Sequence, residues 1–233
     1  MKLLVTRPAP EGERTAKALR AQGHTVLVSP LIRIAPVEAD LGPGPWAGLI
    51  VTSANAVRAL GNHPQRQRLS GLPVLAVGDR TAEAARAAGF TDVASAGGTS
   101  KDLISLIKSR FRGAGNPLLW LAGADRTGDF AAAGVSIEIR VIYQSVADLD
   151  LTPEAADAIR DGSLDAVLHF SRRSAAAYTC ATAAIGLAAP AIMQRHCCLS
   201  AATAEPLIAA GASRVRISPR PTEQSLLELV DSL

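Results

Sequence analysis

The sequence predicts an α/β protein of two similar lobes, each a parallel sheet flanked by helices, and three observations carry that expectation. Short apolar runs alternate with alanine-rich amphipathic stretches along the chain, the rhythm of strand-helix units feeding a parallel sheet. Hydrophobic residues are 48% of the chain but aromatics only 3%. The core is therefore built from Ala, Val, Leu and Ile, the usual filling of sheets covered by helices, and all-β architectures are disfavoured. Third, the chain repeats itself.

In order, KLLVT leads into EGERTAKALRAQG, GLIVTS into ANAVRAL, and PVLAVG into DRTAEAARAAG. Each apolar run has strand length and each stretch after it has helical periodicity. The helical stretches stop at glycines, Gly23 and Gly89 among them, as a left-handed C-terminal cap requires. LIVTSANAV around Ser53 then returns as VLHFSRRSA around Ser171, and VGDRTAEAARAAG returns as LSAATAEPLIAAG. Thr81, Ala82, Glu83 and Gly89 fall on Thr203, Ala204, Glu205 and Gly211, and the opening LLVTRP has a weaker echo in LLWLAG with Arg126. The order is A-B-C, A-B-C. A duplicated unit of this kind suggests two lobes with ligand held between them, although the repeat leaves open which halves share a lobe. Two segments stand just after the A unit of each copy, Pro30 to Val37 and Val141 to Asp148, and are the candidate connectors.

Composition excludes several functions. Lys plus Arg is 24 against 21 for Asp plus Glu, a net charge of +3. That balance leans toward anionic ligands, yet there is no clustered basic run and few aromatics for base stacking, which argues against nucleic acid. The N-terminal run is interrupted by Arg7 and Pro8, short of a signal-peptide core or membrane span, so the expected location is the cytosol with no membrane association. The three cysteines, Cys180, Cys197 and Cys198, read as buried reduced thiols. No metal-ligand spacing appears among His24, His63, His169 and His196, and no metal is expected. His169, inside a predicted strand, reads as structural. Neither copy carries GxGxxG, GxxxxGKS or GxxxxGKT, so dinucleotide and nucleoside triphosphate cofactors lose their support. No GxSxG surrounds either strand-end serine, which removes the serine-hydrolase reading.

In an open parallel sheet ligands gather at the carboxyl ends of strands, where the chain turns into a helix. VTSAN, VGDRT, HFSRRS and LSAAT occupy that position. The substrate-binding candidates there are Thr52, Ser53, Asn55, Thr81, Ser171, Ser174, Ser200 and Thr203. Helix capping is the alternative task for each of these hydroxyls. Arg7, Arg126 and Arg172 lie at or near strand ends and can fork onto a carboxylate. Tyr178 reads as the buried face of a helix. Tyr143 falls in the second connector, where a phenol can donate a proton or a hydrogen bond, or simply pack.

The set LLVTRP, LIVTSANAV, VLAVGDRTAEAARAAGF, VIYQS, VLHFSRRSA and LSAATAEPLIAAG, in this order, resembles the uroporphyrinogen-III synthase family over nearly the whole chain. The resemblance implies a discontinuous lobe of residues 1 to about 35 and about 146 to 233, a second lobe of about 36 to 145, and a two-stranded connector. It implies a cofactor-free lyase acting on hydroxymethylbilane, a linear octacarboxylate tetrapyrrole. Loss of the terminal hydroxyl gives an azafulvene, ring D attacks at its substituted carbon, and a spiro intermediate recloses with ring D inverted. Tyr143 matches the connector tyrosine that assists departure of the hydroxyl. Ser171 and Thr203 match the substrate face of one lobe, Ser53 and Thr81 that of the other. The stretch after Arg126 is short, so its helix is expected to be clipped, and Ser200 stands where the family commonly has glycine. A monomer is expected, with transient contact with the preceding pathway enzyme. The rival reading is a non-catalytic bilobal binding protein for a polyanionic small molecule.

Overall fold

The structure is a computed structural model that describes residues 1–126 and 129–233. From the N-terminus the chain forms β1 (Lys2–Val5), α1 (Glu11–Ala21), β2 (Thr25–Val28) and β3 (Ile32–Pro36). It continues through β4 (Gly48–Val51), α2 (Ala54–Gly61), β5 (Val74–Ala76), α3 (Asp79–Ala87), β6 (Val93–Ser95) and α4 (Ser100–Phe111). After β7 (Leu118–Gly123) and β8 (Ile137–Ala147) come α5 (Pro153–Arg160), β9 (Ala166–His169), α6 (Arg172–Ala184) and α7 (Ala188–Met193). The last elements are β10 (His196–Cys198), α8 (Ala201–Ala209), β11 (Val215–Ile217) and α9 (Glu223–Asp231).

The chain divides into two compact units, Met1–Arg33 with Val146–Leu233, and Ile34–Ser145. The first holds a sheet ordered β11-β10-β9-β1-β2, and the other sheet runs β3-β8-β7-β4-β5-β6. From β2 the first order is β2-β1-β9-β10-β11, and from β8 the second is β8-β7-β4-β5-β6. The sequence repeat is thus visible in the sheets. Each combines the A strand of one copy, β1 or β7, with the B and C strands of the other. The pairs β1 with β9, β9 with β10, β4 with β7 and β7 with β8 are parallel. Both connector segments are extended, as β3 and β8, which are neighbours in the second sheet.

Burial follows strand position. Central strands such as GLIV in β4 and LLWLAG in β7 are buried at every residue, because helices cover both faces of the sheet. Edge strands β6 and β11 are short and reach only intermediate or exposed positions. Alternate residues enter different layers: Leu4 and Val167 pack with Tyr178 and Leu207, whereas Leu3, Val5 and Leu168 pack with Leu226. In the other unit Leu49, Val51 and Leu119 face Val57, whereas Ile50 and Trp120 face Leu103. The helix ends expected from glycine hold, since Gly23 and Gly89 follow α1 and α3 at φ 89° and 94°.

Two expectations need correction. Where the second copy was to have a clipped helix after Arg126, the described residues form only a 3-10 turn at Ala131–Ala133. Phe130 just before it packs edge-on to Trp120 at 4.7 Å and closes that side of the sheet. Cys180 is exposed on α6, unlike Cys197 and Cys198, because it lies on the helix face turned from the sheet. No helix among the described residues is long and apolar enough to cross a membrane.

Candidate functional site

In the unit containing both termini, parallel β1, β9 and β10 bring their carboxyl ends to one edge, with Val5 beside Leu168 and His169 beside Cys198. Ser171 and Ser200 follow these ends as N-caps of α6 and α8. The Ser171 hydroxyl accepts from the Ser174 amide at 3.1 Å, and that of Ser200 from the Thr203 amide at 3.3 Å. Ser174 and Thr203, expected at the ligand, are 1% and 3% exposed. Ser174 donates to the Ser171 carbonyl at 3.0 Å, and the Thr203 hydroxyl lies 3.1 Å from that of Ser200. A hydroxyl three residues into a helix reaches back to its cap more easily than outward. The accessible hydroxyls of this edge are therefore the caps, Ser171 exposed and Ser200 half-buried.

Arg7 follows β1, and the structure gives its charge an internal task. Its guanidinium pairs with Glu223 at 3.1 Å, donates to Thr15 at 3.1 Å and lies 4.3 Å from the centre of the Phe170 ring. Burial lowers its pKa and Glu223 opposes that shift. Desolvation works to raise the Glu223 carboxyl, but the Thr15 hydroxyl and Arg7 outweigh it and hold it below its ordinary value. No local pattern points to Glu223 as the partner of Arg7, since even Thr15, which donates to Glu223, lies 208 positions from it. Arg172 remains at the edge, paired with Glu205 at 3.0 Å in the open, and it lines a hollow of about 540 Å³ with Arg173, Ala176 and Pro206. Two arginines in the first turn of α6, with no acid among them, run against the helix dipole. Glu205 from α8 supplies Arg172 with a counter-charge there.

The unit Ile34–Ser145 repeats the arrangement with different side chains. Ser53 caps α2, accepting from the Asn55 amide at 3.1 Å. Thr52, Ser53 and Asn55 are half-buried, and the Asn55 side chain accepts from Arg58 at 2.6 Å. The N-cap of α3 is Gly78, which offers no side-chain cap. Thr81 is 6% exposed and donates its amide to the Gly78 carbonyl at 3.0 Å. Arg126 is exposed beyond β7. Tyr143, half-buried against the core of this unit, stands opposite Gly123, and its carbonyl accepts from the Ala124 amide at 2.9 Å. Val51, the last residue of β4, pairs with Leu121, so Ser53 and Gly123 each follow that pair by two residues at the carboxyl ends of adjacent strands.

A groove of about 880 Å³ in this unit, lined by Pro36, Glu38, Asp40, His63 and Gln65 among others, includes none of the expected site residues. Among the described residues no three His, Cys, Asp or Glu side chains converge as metal ligands would.

A family model described as uroporphyrinogen-III synthase HemD matches residues 13–228. Among solved structures, the chain is similar to a uroporphyrinogen-III synthetase from Helicobacter pylori, with 20% identity, 100% of this chain and 99% of that one covered, and a TM-score of 0.64. It is also similar to a mutant uroporphyrinogen III synthase from Thermus thermophilus, with 17% identity, 100% and 98% coverage, and a TM-score of 0.52. No curated protein sequence matches.

Proposed function

The chain belongs to the uroporphyrinogen-III synthase family, and on that premise we propose that it closes hydroxymethylbilane into uroporphyrinogen III, releasing water and inverting ring D. It is a cyclising lyase of tetrapyrrole synthesis acting on a tetrapyrrole substrate. The observation that carries this reading is the family match across residues 13–228. No observation favours the binding-protein alternative. The bilane cyclises unaided to the uninverted isomer I, so the enzyme's main task is to hold the chain folded and steer which carbon attacks. That demand suits strand-end edges built of hydroxyl caps and a few arginines rather than a dense set of ionised groups.

In this reading one lobe is residues 1 to about 35 with about 146 to 233 and the other is about 36 to 145, and the strand-end edge of each carries groups that bind the substrate's carboxylates. Ser53, Thr52, Asn55, Ser171 and Ser200 contact its carboxylates, with Arg172 and Arg126 as cations. Ser174, Thr203 and Thr81 hold the helix starts that present these groups, and Arg7 stiffens the turn after β1 through Glu223. Tyr143 donates to the departing hydroxyl. The enzyme works as a cytosolic monomer without cofactor, receiving the labile bilane by transient contact with the preceding enzyme.

The test supplies freshly made hydroxymethylbilane and resolves the isomers by chromatography. Isomer III formed faster than spontaneous cyclisation is expected. Isomer I alone, at the uncatalysed rate, defeats the proposal.

A further inference from the structure

The register of β7 against β8 is irregular at one point, beside Tyr143. Ala122 pairs with Val141, but the next residue, Gly123, pairs with Tyr143. One step on β7 spans two on β8, so Ile142 is the extra residue of a β-bulge, uncommon between parallel strands. Ile142 is 1% exposed in the core of this unit, and its carbonyl accepts from the Val37 amide at 2.9 Å. That bond and the burial of Ile142 pin the bulge. In a regular strand neighbours point to opposite faces, yet Ile142 and Tyr143 both pack against the same core. The bulge therefore turns the Tyr143 ring toward β7.

What the ring meets there is a residue without a side chain. A Cβ placed on Gly123 would lie 2.6 Å from Tyr143 Cζ, 2.8 Å from Cε2 and 2.8 Å from the phenol oxygen. These are well inside van der Waals contact, and the atoms affected are those nearest the reactive hydroxyl. Gly123 has no left-handed φ, so backbone conformation gives no reason for glycine here. We infer that Gly123 is a positioning residue for the reaction: its missing side chain, together with the Ile142 bulge, seats the Tyr143 phenol at the strand-end row of β7. This rests on the reading of Tyr143 as the proton donor and extends it to the residue that sets where the donor sits.

The experiment is a double-mutant cycle of Gly123→Ala and Tyr143→Phe with two readouts. The first is kcat and KM for isomer III formation. A methyl at Gly123 pushes the ring aside by rotation, and misplacing a catalytic group by about 1 Å costs on the order of 100-fold. Gly123→Ala is expected to lower kcat by about 10- to 100-fold with little change in KM, and to cause no further loss when Tyr143→Phe is already present. The second readout is NMR of protein labelled on its tyrosine rings. The chain has 2 tyrosines, so Gly123→Ala should shift the Tyr143 ring signals and leave those of Tyr178 in place. Unmoved Tyr143 signals, or full kcat in Gly123→Ala while Tyr143→Phe is impaired, overturns the role of Gly123 and leaves Tyr143 as donor. Full kcat in Tyr143→Phe overturns both. If Gly123→Ala alone is too unstable to assay, Gly123→Ala combined with Tyr143→Leu removes the colliding ring and should restore folding. Failure of that pair to fold places the clash elsewhere and ends the proposal.

Discussion

Lowering the pH from 7.5 to 5.0 should destabilise the protein through two buried histidines that take no part in the proposed reaction. His169 ends β9 and His196 begins β10; both are inaccessible, and Nε2 of His169 lies 3.1 Å from Nδ1 of His196. Tyr178 packs edge-on to both rings at 5.2 and 5.7 Å, and Cys198 lies beside His169 in the sheet. Burial drives His169 well below its ordinary value, with His196 adding to the effect. Burial lowers His196 to about 4 against the opposing Ala191 carbonyl. The neighbours cannot compensate, because burial raises the Tyr178 phenol far up and Cys198 to about 12. Above the unfolded value of about 6.5 both states hold neutral imidazoles and the pair contributes no pH dependence. Below it the unfolded chain binds protons that the folded chain refuses, so stability falls with pH until the folded value is reached. Over the 1.5 units from about 6.5 to 5.0 this removes about 2 kcal/mol through His196 alone, at 1.36 kcal/mol per unit, and His169 acts in the same direction. Urea unfolding followed by circular dichroism at both pH values measures the loss. The control is His169→Gln with His196→Gln, whose slope over this window should be nearly flat. Equal stability of the native sequence at both pH values would refute the reasoning.

Glu223→Gln should leave Arg7 half-buried without its counter-charge and cost about 1–2 kcal/mol, discounted for the partial exposure of both groups. The lowered Glu223 carboxyl makes its stabilising effect full above the ordinary carboxylate range and lost as pH falls below about 4. Thermal unfolding of the variant at pH 7 and 3.5 checks both, and a difference from the native chain that persists at pH 3.5 counts against the assignment. A Cβ on Gly48 would meet Phe111 Cζ at 2.9 Å and the Pro73 carbonyl at 3.0 Å, whereas one on Gly61 meets nothing within 4 Å. Gly48→Ala should therefore cost about 1–3 kcal/mol by overpacking, and Gly61→Ala should add about 0.5 kcal/mol by restricting the unfolded chain; urea midpoints moving the same way in both would contradict this packing. Gly78→Ser supplies α3 with the hydroxyl cap that Ser200 gives α8, in extended backbone that any residue adopts. It should stabilise by a few tenths of a kcal/mol and raise KM if substrate approaches the bare helix start, with unchanged KM removing α3 from the binding surface.

What could be read from the sequence were features encoded within a few residues. The apolar runs of β1, β4, β7 and β9, the caps Ser53, Ser171 and Ser200, and the glycines after α1 and α3 all follow from local composition. Reading Tyr178 and His169 as interior residues also held, because each lies inside an apolar segment. What escaped depends on residues meeting across the chain. His169 and His196 are 27 positions apart, and only the pairing of β9 with β10 makes them partners. Arg7 looked available to a ligand because Glu223 is remote in sequence. Nothing in the sequence marks Gly123, since a bulge exists only as a mismatch between two strands. Ser174 and Thr203 were ambiguous for a different reason: the spacing that places a hydroxyl near a ligand also lets it reach back to its own cap.

The two copies of the repeat have diverged at their strand ends in a way that fits the proposed task. One copy begins its third helix with Gly78 and no side-chain cap, the other with Ser200, whose hydroxyl is tied to Thr203. One copy's second helix opens on Ala54 and Asn55, the other's on Arg172 and Arg173. A symmetric pair of surfaces would grip both ends of a linear tetrapyrrole alike and give no reason for one terminal ring to invert. The two strand-end surfaces are instead unequal, and a tyrosine stands in only one connector, since VSPLIRI in the first copy has none, an asymmetry that the proposed inversion of one terminal ring requires.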